Sequence, residues 1–275
     1  MGIERLTGRF GARVRDVDLA QPLDPAIVSA IKAAMDEHGA LFFTGQRQLS
    51  EEEHLRAARA FGPIHQSEFQ SLASKEPNVI TLDQTSAKGR GTDRWHSDST
   101  YLRSPPVAGM LQAHILPETG GDTCFASMRA AYEGLSPAIQ DFLASLTASH
   151  SPVAAIARTN APANYGVPEE LKTRAPVSHP VIIANPRTGR KMLFVNSAWT
   201  IAIDRLTKAE SDRILAMLFA HIGSPEYQLR YRWQVFDVAL WDNHAVQHFA
   251  VPDYTTRRLM QAVRLDGAPP MGVAG

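Results

Sequence analysis

Apolar and polar positions change their period several times along this chain, and the changes fall at recognisable start and stop signals. Residues 8–19 alternate loosely and predict one or two strands. A helix is expected next: Asp24 is placed to cap it, Pro25 stands at its first position, and Gly39 closes it after His38. The apolar run 40–43 predicts a buried strand. Ser50-Glu51-Glu52-Glu53 has the form of a capping box and predicts a second helix as far as Gly62. From Val79 the pattern turns strand-like, interrupted by 85–92, a polar stretch with too few apolar residues to pack, which predicts a surface loop. Residues 107–116 and 122–125 read as strands around a turn at 117–121, and two short helices follow, started by Ser127 and by Ser136-Pro137.

The stretch 152–176 has proline, small residues and weak periodicity, and a loop of that length inside a compact domain predicts a functional element such as a lid. Strands resume at 177–184 and 191–195 around the turn-rich 185–189. A capping box at Thr207 and Glu210 starts an amphipathic helix ending near Gly223, and 227–233, 238–241 and 257–265 are strand-like. Helices thus gather at the front and in two insertions while strands dominate elsewhere. That order predicts an α+β protein built on an antiparallel sandwich or jelly roll.

Composition changes this picture little. The 275 residues are 44% hydrophobic and 20% charged, the balance of an ordinary folded protein, and no linker divides them, so one domain over 1–275 is expected. Lys+Arg and Asp+Glu are equal at 28 each, which gives no reason to expect nucleic acid or an anionic membrane as partner. The single Cys124 cannot make an internal disulfide, the first residues have no apolar leader, and no apolar run approaches the roughly 20 residues that span a bilayer. Cytoplasm is the expected compartment.

The chemistry concentrates in two places. In Trp95-His96-Ser97-Asp98, an imidazole and a carboxylate stand two residues apart; on a strand they would share a face about 6.6 Å apart along the axis and could converge on one metal. A further histidine would complete a two-histidine, one-carboxylate set with three adjacent positions left open. Alone the pair is weak, since a chance His-x-Asp arises in about one such chain in two. About 150 residues later comes Leu240-Trp241-Asp242-Asn243-His244-Ala245-Val246-Gln247-His248, then Arg257-Arg258-Leu259-Met260.

Together with Gly120-Gly121-Asp122-Thr123, these segments resemble the taurine dioxygenase (TauD/TfdA) family, whose motifs WHxD, GGDT, WDN with a later histidine, and a closing-strand arginine all occur here in order. The resemblance runs from Ile3 through Leu265. It implies a double-stranded β-helix (jelly-roll) core, Fe(II) held by His96, Asp98 and His248, and 2-oxoglutarate held through its distal carboxylate by Arg258 and Thr123. It also implies O2 as oxidant, succinate and CO2 as products, and assembly as dimers or tetramers. A planar guanidinium fork suits a carboxylate, and a hydroxyl adds one donor. Related halogenases have a small residue where Asp98 stands, so its presence implies hydroxylation. His244 matches no ligand position of the family. His114, His150, His179 and His221 are read as structural or surface residues, and Trp95, Trp233 and Trp241 as core packing.

The closing strand departs from taurine dioxygenase itself. That enzyme's pattern has a second arginine four residues beyond the cosubstrate arginine, where this chain has Ala262, and Ser67 and Gln70 stand where a histidine and a tyrosine are expected. Arg264 is the substitute anchor for an anionic substrate, on the same strand face as Arg258 if the strand is regular but about 20 Å along it. Its spacing, and the run from Asp122 to Tyr132, resemble the aryloxyalkanoate (phenoxypropionate) dioxygenases of the family. Arg94, Lys88, Arg90 and Arg158 are alternative anchors. A small anionic substrate is therefore expected, a carboxylate or sulfonate such as an aryloxyalkanoate. Taurine, an alkylsulfate and an amino-acid derivative are alternatives for the same chemistry. A non-catalytic binding protein and a zinc hydrolase are the competing classes.

Overall fold

The structure is a computed structural model that describes residues 1–66, 76–85, 93–153 and 169–273. Most of its regular structure is β. The strands are β1 Gly2–Arg5, β2 Ala12–Arg15, β3 Ala40–Phe43, β4 Ile80–Gln84, β5 Ala108–Ile115, β6 Thr123–Ser127, β7 Thr147–His150, β8 Val177–Pro180, β9 Ile182–Ala184, β10 Lys191–Leu193, β11 Thr200–Ile203, β12 Gln228–Tyr231, β13 Val238–Asp242, β14 Val246–Ala250 and β15 Arg258–Leu265. The helices are α1 Pro25–His38, α2 Glu51–Arg59, α3 Met128–Glu133, α4 Pro137–Ala144, α5 Glu169–Thr173 and α6 Lys208–Ile222.

Seven strands form one sheet in the order β1-β2-β3-β13-β5-β15-β4, antiparallel except for β2 beside β3. A second sheet, β12-β6-β14, faces it, and β11-β7-β8 and β10-β9 make two smaller ones. The period-2 geometry of a strand explains why β3 and β13 read as unbroken apolar runs, because both faces of the large sheet are covered. Leu41, Phe43, Val238 and Leu240 point into a core shared with Ile31 and Met35 of α1 and Leu55 of α2. Their neighbours Phe42, Ala239 and Trp241 point the other way, into a core shared with Phe125 and Val246 of the second sheet. Phe42 meets Phe125 edge-on at 5.2 Å and stacks on Tyr231 at 4.0 Å, binding the two sheets together.

The local start signals hold. Asp24 accepts from the Ala26 amide, Gly39 closes α1 at φ 72°, and Ser50/Glu53 and Thr207/Glu210 form reciprocal capping boxes. Ser127 caps α3, whereas Ser136 makes no side-chain cap bond to α4. Three expectations need correction. Residues 8–19 hold one strand, β2, as expected, but a further strand lies ahead of them at Gly2–Arg5 and the rest of 8–19 is turn and loop, with the Leu6 amide bonding to the Gly11 carbonyl at 2.9 Å. Trp95-His96-Ser97-Asp98 is no strand: His96 makes one isolated antiparallel bridge to His248, and Asp98 already lies in a turn with Ser99 at φ 52°. The long stretch 152–176 contains α5; its residues 154–168, like 86–92 and the positions Ser67 and Gln70, lie outside the described residues. No helix among the described residues is long and apolar enough to cross a membrane.

Candidate active site

His96 and His248 are cross-strand partners. The His96 amide donates to the His248 carbonyl at 3.1 Å and the His248 amide returns the bond at 2.8 Å, which sets the two imidazole rings 4.3 Å apart. Residues opposite one another on antiparallel backbone place their side chains on one face, so the pairing brings together two candidate ligands 152 positions apart in sequence. Asp98 joins them from the following turn with its Oδ1 3.9 Å from His96 Nε2, and the donor atoms of all three residues lie within 4.8 Å of one another. The turn therefore does what a regular strand would have done less well, folding the carboxylate back toward the ring.

The donor set fits a divalent cation. Nδ1 of His96 lies 2.7 Å from the Arg94 carbonyl, a bond that requires the proton on Nδ1 and leaves the Nε2 lone pair facing Asp98. Burial pushes both histidines down, His248 to about 3, so both are neutral at ordinary pH and offer lone pairs to a cation. Burial also works against the charge of Asp98, yet the carboxyl is held below its usual range, with the Arg264 guanidinium the foremost cause. Asn243 fixes the backbone of Asp98: its Oδ1 accepts from the Asp98 amide at 2.8 Å, and its Nδ2 donates to the carbonyls of Asp98 at 3.1 Å and Pro106 at 2.8 Å. Asp242 holds the turn that presents Asn243 by accepting from the amides of His244 and Ala245.

The three residues open onto a cleft of about 670 Å3, its mouth included, which is lined also by Leu82, Leu111, Thr123, Trp241, Arg258, Ala262 and Arg264. Arg258 is 4% exposed, and among the described residues no carboxylate forms an ion pair with it. Its Nε donates to the Gly121 carbonyl at 2.9 Å and its Nη2 to Thr123 Oγ1 at 3.3 Å. Thr123 Oγ1 also accepts from Trp233 Nε1 at 2.9 Å. With both acceptor positions of that oxygen occupied, its hydroxyl proton is left to donate to a ligand in the cleft. A buried cation and an aimed hydroxyl make a receptor for a carboxylate. The two glycines before Asp122 are what let the chain pass so close: Gly120 and Gly121 have φ 78° and 72°, and a Cβ on Gly120 would lie 2.5 Å from the Asp253 carbonyl oxygen.

The remaining sequence-derived residues divide clearly. Arg264 lines the cleft together with Arg258 despite their separation along β15, but its guanidinium donates to Asp98 Oδ1 at 2.7 Å. The Arg94 side chain is exposed and does not line the cleft; its part is the carbonyl that orients His96. Lys88, Arg90 and Arg158 lie outside the described residues. His244 packs against Phe194, 5.4 Å between rings, and is not in the ligand cluster. His150 and His179 are buried and brace the turn after Asp98, His150 at Thr100 Oγ1 and His179 at the Thr100 and Leu102 carbonyls, each 2.9 Å away. Trp95 packs edge-on against Phe249, while Trp233 and Trp241 do more than fill the core, one orienting Thr123 and the other walling the cleft. Asn243 and Trp233 are the functional residues that sequence reasoning missed. A polar residue placed directly after a buried strand was the signal for Asn243; nothing marked Trp233.

A mostly β protein with two histidines and one carboxylate converging on an open cleft has the donor set that mononuclear iron oxygenases use. Residues 2–264 match the family described as Taurine catabolism dioxygenase TauD, TfdA family, and the chain belongs to that family. It is 32% identical to an alpha-ketoglutarate-dependent sulfate ester dioxygenase of Pseudomonas putida, over 100% of this chain and 92% of the relative. It is 33% identical to an alpha-ketoglutarate-dependent 2,4-dichlorophenoxyacetate dioxygenase of Cupriavidus pinatubonensis, over 94% and 96%. The crystal structure of a taurine dioxygenase from Burkholderia xenovorans superposes with a TM-score of 0.84 at 29% identity, over 98% of this chain and 91% of that one.

Proposed function

We propose that this protein is an Fe(II)- and 2-oxoglutarate-dependent dioxygenase that hydroxylates a small organic anion and releases succinate and CO2. The observation that carries the reading is the pairing, in one cleft, of a two-histidine, one-carboxylate cluster with a buried arginine that forms no ion pair with any carboxylate among the described residues. The two facing sheets serve as a jelly roll whose interior is this cleft. His96, Asp98 and His248 hold the iron, and Arg258 with Thr123 takes the far carboxylate of 2-oxoglutarate. Iron, when bound, supplies the open positions for the 2-oxo acid and O2 and the redox chemistry that couples decarboxylation to substrate oxidation.

The chain's own residues do the selecting. Arg258 pairs with a second carboxylate only if that group reaches it from the metal cluster, which favours a five-carbon diacid over shorter 2-oxo acids. Leu82, Leu111, Trp241 and Ala262 give the cleft apolar walls that exclude water and accept a hydrocarbon or aryl group. The relatives named above act on a sulfate ester, an aryloxyacetate and, by name, taurine, and the common chemistry is a small anion with an oxidisable C–H. Hydroxylation of a carbon bonded to an ether, sulfate or sulfonate group gives a product that breaks down to a carbonyl compound and the freed leaving group.

Anaerobic visible titration with Fe(II) and then 2-oxoglutarate tests the reading. A weak charge-transfer band on adding the cosubstrate, and succinate formed in step with a consumed substrate once O2 is admitted, are the expected results. Absence of the band in folded protein would overturn it, and hydrolysis with zinc and no succinate would put a hydrolase in its place.

A further inference from the structure

Arg264 faces the same cleft as Arg258, but its surroundings are different. Its Nη2 donates to Asp98 Oδ1 at 2.7 Å and its Nη1 to Ser99 Oγ at 3.3 Å. Oδ1 is also the oxygen turned toward His96 Nε2, 3.9 Å away. The guanidinium therefore shares the atom through which Asp98 reaches the metal cluster. Its Nε–H is buried and has no acceptor among the described residues. A donor left buried and unused is costly, and the side chain that carries it lines the cleft, within reach of a ligand. Ala262, one strand repeat before it, and Val263, Leu111, Leu82 and Ile80 make the adjoining wall small and apolar.

We infer that Arg264 anchors the anionic head of the primary substrate and that metal loading makes it available for this. The inference rests on the reading of the cleft given above. The Asp98 carboxylate pairs with Arg264 at 2.7 Å. A divalent cation at the same carboxylate draws on the same negative charge and stands within a few ångströms of the guanidinium, so two cations then compete for one anion. An oxyanion at the idle Nε–H relieves that conflict. Metal and anionic substrate therefore bind with positive coupling carried by Arg264, and by reciprocity the anion tightens the metal as much as the metal tightens the anion.

Regiochemistry follows from the same contact. Because Arg264 touches a metal ligand directly, an anion on its fork sits beside the metal cluster, and the carbon presented for oxidation is the one bonded to the anionic group or the next one along. The tail lies against the apolar wall, away from the metal. Oxidation at the far end of a long chain is excluded.

The test reads free Mn(II) by electron paramagnetic resonance during titration of the full chain with 2-oxoglutarate present. It is run without a further ligand and then with 2,4-dichlorophenoxyacetate, taurine, hexyl sulfate or the neutral control hexanol. In the wild-type protein at least one anion should tighten Mn(II) by about 5-fold or more, the lower end of ordinary coupling, and hexanol should not. Arg264→Met should bring that ratio to about one. Arg264→Lys, which keeps the charge and gives up the fork, should retain part of it and serves if the Met variant does not fold. Coupling that survives in Arg264→Met, or no effect of any of the three anions on the wild type, would overturn the role of Arg264. The cosubstrate's own tightening of Mn(II) in the same titration separates the causes. If it is present without an anion effect, only Arg264 is misassigned; if it is absent, the dioxygenase reading fails and this inference with it.

Discussion

Replacing Asn243 is the sharpest way to ask whether the metal cluster depends on the turn that follows it. The side chain is fully buried and makes three hydrogen bonds, one from the Asp98 amide and two to the carbonyls of Asp98 and Pro106. Asn243→Ala strips three buried backbone groups of their partner at ~1–3 kcal/mol each. Water entering the space left behind would recover part of that, so a loss near the lower limit, about 3 kcal/mol, is expected. The carboxylate of Asp98 loses its fixed origin at the same time, and by analogy with other residues that orient ligands the metal affinity should fall about 10–100-fold. Asn243→Asp is the more telling variant because it has the same shape. It keeps an acceptor for the Asp98 amide but sets a carboxylate against two carbonyl oxygens, so it should be no better than alanine. Urea unfolding gives the first quantity and Co(II) absorbance titration the second. If Asn243→Asp binds Co(II) with wild-type affinity, Asp98 is held by something other than this clamp and the argument is wrong.

Two further outcomes follow from buried groups elsewhere. Arg258→Met should leave metal binding near wild type while abolishing the tightening produced by 2-oxoglutarate, because its guanidinium bonds to Gly121 and Thr123 and to none of the three cluster residues; equal loss of both in calorimetric titrations would place it in the metal site instead. His54 on α2 is fully buried and burial pushes it down to about 3, against about 6.5 unfolded, so the unfolded chain binds the extra proton between those values. Stability should then fall as pH drops below about 6.5, with His54 accounting for about 2 kcal/mol at pH 5. His54→Leu should reduce the shift of the urea midpoint between pH 7.5 and 5 by that amount, and an unchanged shift would mean that the ring finds a partner when charged.

What could be read ahead of the structure was local. Asp24 with Pro25 and Gly39, Ser50 with Glu53, and Thr207 with Glu210 each act within one helical turn, so their meaning does not depend on the rest of the chain. The strand β14, which carries His248, was not foreseen, because five residues squeezed between the turn at Asp242 and Pro252 give too short a pattern to separate from a loop. The strand assumed for His96 and Asp98 failed for a related reason: one bridge to His248 and a left-handed Ser99 leave no alternation in the sequence. Motif resemblance still singled out the residues that the structure brings together, since it does not need the intervening geometry. The bonds from Asn243 and Arg264 to Asp98 cross 145 and 166 residues and have no counterpart in any local pattern.

The position of β13 and β15 in the large sheet has a consequence for how the molecule comes into being. They flank β5 on either side and belong to the last stretch of the chain, so the middle of the sheet is open on both edges of β5 until the final strands arrive. During synthesis that strand waits, apolar and unpaired, for more than 120 residues, a state that invites association with other nascent chains. With so many pairings between distant segments, refolding should be slow as well.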